Sequence, residues 1–327
     1  MFRFLSLITA VLFTLQVFAS SLGNINETYW HDGFAFFRVK EKKGVLLFTG
    51  GTLHEGGYDF KVVKGRGGKM VLKSSYENLG LIPLSGRSVP GSTIERKMID
   101  GKDVLVITSP GGKVTDVLLK INKNENFETL LEQQINDQLD GIYSNSEGGY
   151  VSFNGNGSIS MGSSQNNWEK YKFLYIYESP SNIIETLGGK HYQFDFDSQN
   201  IKFEEVKTVD GVAWDDDPAV EAIKTMTLKK IQGVNYAGDG LWPITSEKIL
   251  PAGYLSCYDV ESLRLIRNDI YARHGYQFKD NNLRKIFSNQ SWYKPVTSNA
   301  SSLKLNQVEQ INIALIQNME KVKSQED

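Results

Sequence analysis

The alternation of apolar and polar positions changes period once along this chain. From about Ile25 to Thr208 it consists of short alternating runs broken by Gly, Asn and Ser, which predicts antiparallel hairpins. Phe34-Ala35-Phe36 and Val45-Leu46-Leu47-Phe48 flank the polar turn Lys40-Glu41-Lys42-Lys43-Gly44. Tyr150-Val151-Ser152-Phe153 and Ser158-Ile159-Ser160-Met161 flank Asn154-Gly155-Asn156-Gly157 in the same way. Gly44, Tyr58 and Phe60 map onto Gly157, Tyr171 and Phe173 at one constant offset. At a shorter offset, Gly101-Lys102 with Val104 and Val106 parallels Gly189-Lys190 with Tyr192 and Phe194. The difference implies an insertion in the first copy, placed at Glu77 to Pro90. The pattern therefore predicts two tandem antiparallel β-domains, each a small barrel or a sandwich, joined by a short helix at about Phe127–Leu139.

After Pro243 and Pro251 the spacing becomes three and four. Val260, Leu263, Ile266, Ile270 and Tyr271 mark an amphipathic helix. Ser256 or Asp259 is placed to cap its start, and Gly275 to end it in the left-handed conformation. Arg273 and His274 fall in the last turn, where positive charge complements the helix carbonyls. A second helix is predicted from about Asn281 to Ser288 with Asp280 as its cap, and a third from Asn306 to about Val322. Trp292 and Tyr293 are placed to close the small helical core, with stacking on a sugar or peptide as the functional alternative.

Periodicity also predicts how the outer helices meet. Arg267 falls between Leu263, Tyr271 and His274, inside the apolar stripe, where a guanidinium requires a carboxylate partner. Glu309 and Asn312 fall beside Leu305, Ile316 and Met319 on the last helix. The expectation is a clasp of Arg267 with Glu309, completed by Asn312 or Asn268. An Asn306–Glu309 capping box is a competing and compatible reading.

The ends of the chain add an address. Arg3 precedes an apolar run from Phe4 to Phe18, too short for a spanning helix, and Val17 and Ala19 fit the −3 and −1 positions of a cleavage site. The expectation is an exported protein, secreted or periplasmic, cleaved after Ala19, with no integral membrane segment thereafter. The parts expected are a leader at 1–19, β-rich domain 1 at 20–126, a linking helix at 127–138, β-rich domain 2 at 139–242 and a helical domain at 243–327. The fold class is α+β, multi-domain.

Composition then removes several functions. A net charge of −2 gives no electrostatic case for nucleic acid. The single cysteine, Cys257, forbids an internal disulfide and a thiolate-rich zinc site, and is read as a small core hydrophobe. His31, His54 and His191 have no second His at ligand spacing, so neither a metal nor a cofactor is expected. Asp195 and Asp197 alternate with Phe194 and Phe196, which puts both carboxylates on one face of a strand. Such a pair serves glycoside hydrolysis, but facing water it is a solubilising edge. Asp215-Asp216-Asp217-Pro218 lacks the spacing of a calcium loop and is read as the start of a short helix. No catalytic residues are assigned.

The run Arg267-Asn268-Asp269-Ile270-Tyr271-Ala272-Arg273-His274-Gly275, followed by Phe278, Leu283, Phe287 and Trp292-Tyr293, resembles the YARHG domain of bacterial exported proteins, over roughly residues 244–325. Glu309, Asn312 and Glu320 on the last helix agree with it. The resemblance implies a small extracellular or periplasmic module without an established activity, and it covers neither β-domain. The function expected is non-enzymatic binding to a cell-envelope polymer or protein, with Tyr271, Arg273, His274, Trp292 and Tyr293 as candidate binding residues. A hydrolase of cell-wall or extracellular polymer, or a small-ligand carrier using a barrel, is the alternative.

Overall fold

The alternating runs fold into two closed antiparallel barrels of eight strands each. The computed structural model describes residues 22–33, 35–51, 56–75, 90–122, 124–162, 168–176, 179–197, 200–208, 220–232 and 239–325. The expected leader, His54, most of the expected insertion and the run Asp215–Pro218 lie outside these residues. The first barrel comprises β1 (Tyr29–His31), β2 (Phe36–Lys42), β3 (Val45–Gly51), β4 (Gly56–Lys64), β5 (Met70–Ser75), β6 (Thr93–Ile99), β7 (Lys102–Thr108) and β8 (Val114–Ile121). It closes where β1 meets β8, with Tyr29 opposite Ile121.

Helix α1 (Phe127–Leu139) follows where the sequence places a helix. Asn126 caps it by accepting a hydrogen bond from the Glu128 N–H. The second barrel runs through β9 (Gly141–Asn145), β10 (Tyr150–Asn154), β11 (Ser158–Met161), β12 (Glu169–Ile176), β13 (Ser179–Thr186), β14 (His191–Asp197), β15 (Asn200–Thr208) and β16 (Val220–Gln232). It closes through β9 and β16, with Ser144 opposite Lys229. Eight strands enclose a space about wide enough for side chains to fill. In the second barrel Phe153 on β10 and Phe203 on β15 meet across that space at 5.6 Å, and Tyr192 stacks on Phe203 at 4.9 Å. In the first, Phe48 stacks on Phe60 at 4.3 Å, beside buried Trp30, Phe37, Leu72 and Leu105.

The tandem relation holds strand by strand, with one correction. Gly44 and Gly157 both turn the hairpin between the second and third strands, at φ 76° and 75°. Tyr58 and Phe60 lie on β4, the fourth strand of its barrel, as Tyr171 and Phe173 lie on β12. The second pairing slips. Lys102 opens β7, the seventh strand, whereas Lys190 precedes β14, the sixth. The counterpart of the β6–β7 hairpin is β14–β15. Neighbouring hairpins carry the same alternation, so such a repeat aligns with itself one strand out. The first barrel's longer segment, from 76 to 92 between β5 and β6, faces only 187–190 between β13 and β14.

The helical end consists of α2 (Ala252–Ser256), α3 (Val260–Arg273), α4 (Asn281–Ser288) and α5 (Gln307–Lys323). Asp259, not Ser256, caps α3, accepting from the Ser262 N–H at 2.7 Å. Asp280 caps α4. The Asn306–Glu309 capping box on α5 is complete. Gly275 follows α3 at φ 76°, as its position in the sequence requires.

The chain divides into two compact units, one ending at Glu125 and the other beginning at Asn126. In the second unit α1 packs on the barrel and also touches the helical end. Ile135 and Leu139 of α1 pack against the barrel interior, and Tyr171 donates its hydroxyl to Asn136 at 2.7 Å. Towards the helical end, Lys248 pairs with Asp137 at 2.8 Å. Gln138 donates to the Tyr254 carbonyl at 2.9 Å, and Phe196 meets Tyr258 at 5.3 Å.

Candidate functional site

The residues of the C-terminal signature are spent on one another. Asp269, wholly buried in α3, accepts hydrogen bonds from the backbone N–H groups of Leu241 and Trp242 at 2.9 and 3.0 Å. Its charge is met by Arg273 one turn on, at 3.3 Å. Burial pushes the Asp269 carboxyl above its ordinary value, opposed by Arg273 and the two N–H groups. Arg273 also donates to the hydroxyls of Ser246 and Thr245 in the 3-10 turn Pro243–Ser246. One aspartate and one arginine thus hold the chain where it enters the helical end. Gly240 makes the close approach possible. It sits at φ 126°, and a Cβ there would lie 2.6 Å from Arg273 Cδ and 2.9 Å from Asp269 Oδ2.

The expected clasp exists with different partners. Arg267 does not meet Glu309. Its Nε and Nη2 donate to both oxygens of Glu320, at 2.8 and 3.1 Å. Glu309 instead takes His274, whose Nε2 lies 2.9 and 3.0 Å from its two oxygens, and accepts from the Ser246 hydroxyl. These two pairs run the helices antiparallel, the end of α3 against the start of α5. Burial opposes the charge on Glu309, yet hydrogen bonds from Ser246, His274 and Asn306 outweigh it and hold its carboxyl below the ordinary value. Asn312 is wholly buried. It accepts from the Leu250 N–H at 2.9 Å and donates to the carbonyls of Thr245 and Lys248. Asn268 turns back to its own helix, donating to the Arg264 carbonyl.

The remaining candidates fall in an aromatic cluster. Phe278 stacks on Phe287 at 5.1 Å, Trp292 meets Phe287 edge-on at 6.1 Å, and the Tyr293 hydroxyl donates to the Tyr276 carbonyl at 2.8 Å. Tyr271 is half-buried beside Tyr276. Asp195 is exposed and accepts from the Asn182 amide, while the Asp197 side chain lies outside the described ones. Burial pushes the Cys257 thiol far above its ordinary value, as suits a core residue. Among the described residues no group of His, Cys, Asp and Glu has the arrangement to hold a metal ion. No described helix is long and apolar enough to cross a membrane.

A concave surface lies elsewhere. A cleft of about 390 Å³ opens between β16 and the helical end, walled by Lys229 and Lys230 on the barrel side and by residues of α3 and α4 opposite. Beneath it lie the buried side chains of Leu241, Trp242, Leu265 and Leu283. At its inner edge Lys230 donates to the Asp140 carbonyl at 2.6 Å and lies 5.5 Å from the ring centres of both Tyr143 and Trp242. Burial lowers the Lys230 amine to about 8, opposed by Asp140 and Asp269. Two cation–π contacts keep the ammonium in a place that burial disfavours.

Sequence reasoning missed Asp269, Gly240, Lys230 and the cleft. Asp269 did carry a signal. It stands four residues after Leu265, three after Ile266 and three before Ala272, on the face that the apolar residues share, with Arg273 one turn on. Lys230 and the cleft had none, because β16 and the helices meet only in the folded unit.

Residues 240–321 match the family model of the YARHG domain. The β-rich region matches no family model. No curated protein and no solved structure shows a match to the chain.

Proposed function

With a YARHG domain at its C-terminal end as the premise, we propose that this is an exported, non-enzymatic protein that binds a cell-envelope polymer or protein. The cleft between the second barrel and the YARHG domain is its binding surface. The observation that carries this reading is the division of labour inside the second unit. The signature side chains Asp269, Arg273, His274 and Glu309 are bonded to one another and to the entering chain, so they build the domain rather than offer themselves to a ligand. The cleft of about 390 Å³ lies in the range of ligand pockets, and its walls come from β16 of the barrel and from helices α3 and α4.

Two observations favour binding over the alternatives. A carrier requires an empty barrel, and aromatic side chains meet across the interior of the second one. A hydrolase of the two-carboxylate kind requires its carboxylates in a cleft, and Asp195 faces solvent beside Asn182. Export rests on the leader-like run from Phe4 to Phe18.

Co-sedimentation of the full chain with isolated envelope fractions tests the reading. The wild type is expected to pellet with the fraction, and the double variant Lys229→Glu, Lys285→Glu to remain in the supernatant. Equal pelleting of both proteins would remove the cleft from the function, and no pelleting of either would remove the envelope.

A further inference from the structure

The net charge of −2 conceals two halves of opposite sign. Residues 22–125 hold 16 Lys and Arg against 11 Asp and Glu, whereas residues 126–327 hold 19 against 27. Such asymmetry points to a charged partner for one half. The excess in the first unit is concentrated. In an up-and-down barrel successive turns alternate between the two ends, so the β2–β3, β4–β5 and β6–β7 turns share one end. Those three stretches, 40–44, 64–69 and 99–102, carry seven bases and two acids. The first contributes Lys40, Lys42 and Lys43, the second Lys64, Arg66 and Lys69, and the third Lys102, all of them exposed. Ion pairs engage Arg38, Arg96, Lys97 and Lys120 of this barrel. Lys40, Lys42, Lys43, Arg66, Lys69 and Lys102 form none among the described residues.

The barrel fold does not call for these charges. The corresponding hairpins of the second barrel turn through 154–157, 176–179 and 197–200, with no base in any of them. Clustered like charge repels itself, and an anionic partner relieves that repulsion.

The layout selects among anionic partners. Neighbouring strands lie about 4.8 Å apart, so adjacent tips stand about 10 Å from one another around the barrel end. Cations so placed cover an area rather than a line, and a planar array of anionic headgroups meets all three tips at once. Two apolar anchors stand at the same end, where β1 begins and β6 finishes. Tyr29 opens β1 and Met98 precedes the last residue of β6. They are 40% and 63% exposed, and no other large hydrophobic side chain described in this unit is as open. Tyrosine and exposed apolar groups beside lysines suit the interfacial layer of a bilayer. A soluble polyanion has no apolar layer to receive Met98.

We propose that this end of the first barrel docks on a membrane surface that contains anionic lipids, a contact separate from the cleft of the second unit. The lysines and Arg66 meet the lipid phosphates, and Met98 and Tyr29 enter the headgroup layer.

Co-sedimentation of the full chain with lipid vesicles tests this, using phosphatidylcholine alone and phosphatidylcholine mixed with phosphatidylglycerol. The chain is expected to pellet with the mixed vesicles only, and less so as salt is raised. A base near an anionic surface contributes about fivefold to partition. Neutralising one base per tip, Lys42→Gln with Arg66→Gln and Lys102→Gln, should therefore weaken partition about a hundredfold at unchanged circular dichroism. Lys61→Gln with Lys73→Gln and Lys113→Gln removes the same charge away from the tips and should weaken it less than about fivefold. Met98→Ser should weaken vesicle binding by about threefold or more and leave retention on dextran sulfate unchanged. Pelleting that ignores phosphatidylglycerol, equal losses in the two triple variants, or tighter binding to dextran sulfate with no effect of Met98→Ser would each overturn the proposal. The cleft variant Lys229→Glu, Lys285→Glu should bind vesicles within about twofold of the wild type. The envelope assay of the cleft, repeated in the Lys42–Arg66–Lys102 variant, then reads the cleft alone, so either reading can fail without the other.

Discussion

The two barrels are built alike and finished differently. The first is filled by its own strands together with Leu22, Ile25 and Ala35 from the flanking chain. The second takes Ile135 and Leu139 from α1 into its core. It then presents Tyr143, Phe196 and Lys230 to Trp242 and Tyr258 of the helical end. One barrel is complete within its own unit, while the other is half of a junction. A duplicated fold acquires a site where one copy gains a partner, because a cleft needs two walls and a filled eight-stranded barrel supplies only an outer surface.

The comparison breaks most readily at Asp269. Asp269→Ala leaves Arg273 buried without its carboxylate and two backbone N–H groups without an acceptor. A loss of about 3–5 kcal/mol is expected. Calorimetry should show the transition of the second unit displaced downward and that of the first in place. A common shift of both would mean that the units do not unfold separately.

Each barrel also carries a buried base, and both make stability rise with pH, in two separate windows. Burial lowers His31 to about 4, opposed by Glu125. Below pH 6.5 the unfolded chain takes up a proton that folded His31 refuses until about pH 4. The first unit should therefore lose up to about 3 kcal/mol across that window. Denaturant midpoints of His31→Gln, followed from pH 7 to 4, should lack this share of the decline.

Lys230 acts at the other end of the scale. Its folded amine titrates at about 8 and the unfolded one near 10.5, so the unfolded state holds the extra proton in between. The second unit should gain about 2 kcal/mol as pH rises from 8 to 10.5, discounted for the partial exposure of the side chain. Lys230→Met should flatten this rise, and an unchanged slope in that variant would place the titration elsewhere.

The smallest effects sharpen the picture inside the helical end. Glu309→Gln weakens His274, Ser246 and the capping box together, so about 2 kcal/mol is expected. Glu320→Gln disturbs only the partly exposed pair with Arg267, for about 1 kcal/mol. A double-mutant cycle should find coupling of Arg267 with Glu320 and none with Glu309. The reverse result would restore the partner that periodicity suggested.

Much of this molecule is decided locally, and those parts could be read from the chain. Hairpins announced themselves by alternation and by turn residues such as Gly44 and Gly157. The helices at 260–273, 281–288 and 307–323 announced themselves by caps, because a cap bonds to backbone only two or three residues away. The signature was legible for the same reason, since nine consecutive residues carry it.

What tertiary structure alone decided is which distant groups meet. Glu309 and Glu320 lie eleven residues apart, about three turns, so both point to the same side of α5 while standing about 16 Å apart along its axis. Periodicity fixes the side of a helix but not the height or direction at which a neighbour crosses it. Arg267 was therefore placed on the right face and given the wrong glutamate. The same limit hid the cleft, whose lysines come from β16 and from α4. Only folding brings those two walls together, because hydrophobic burial of Trp242, Tyr258 and Phe196 sets their distance and no local rule in the sequence does.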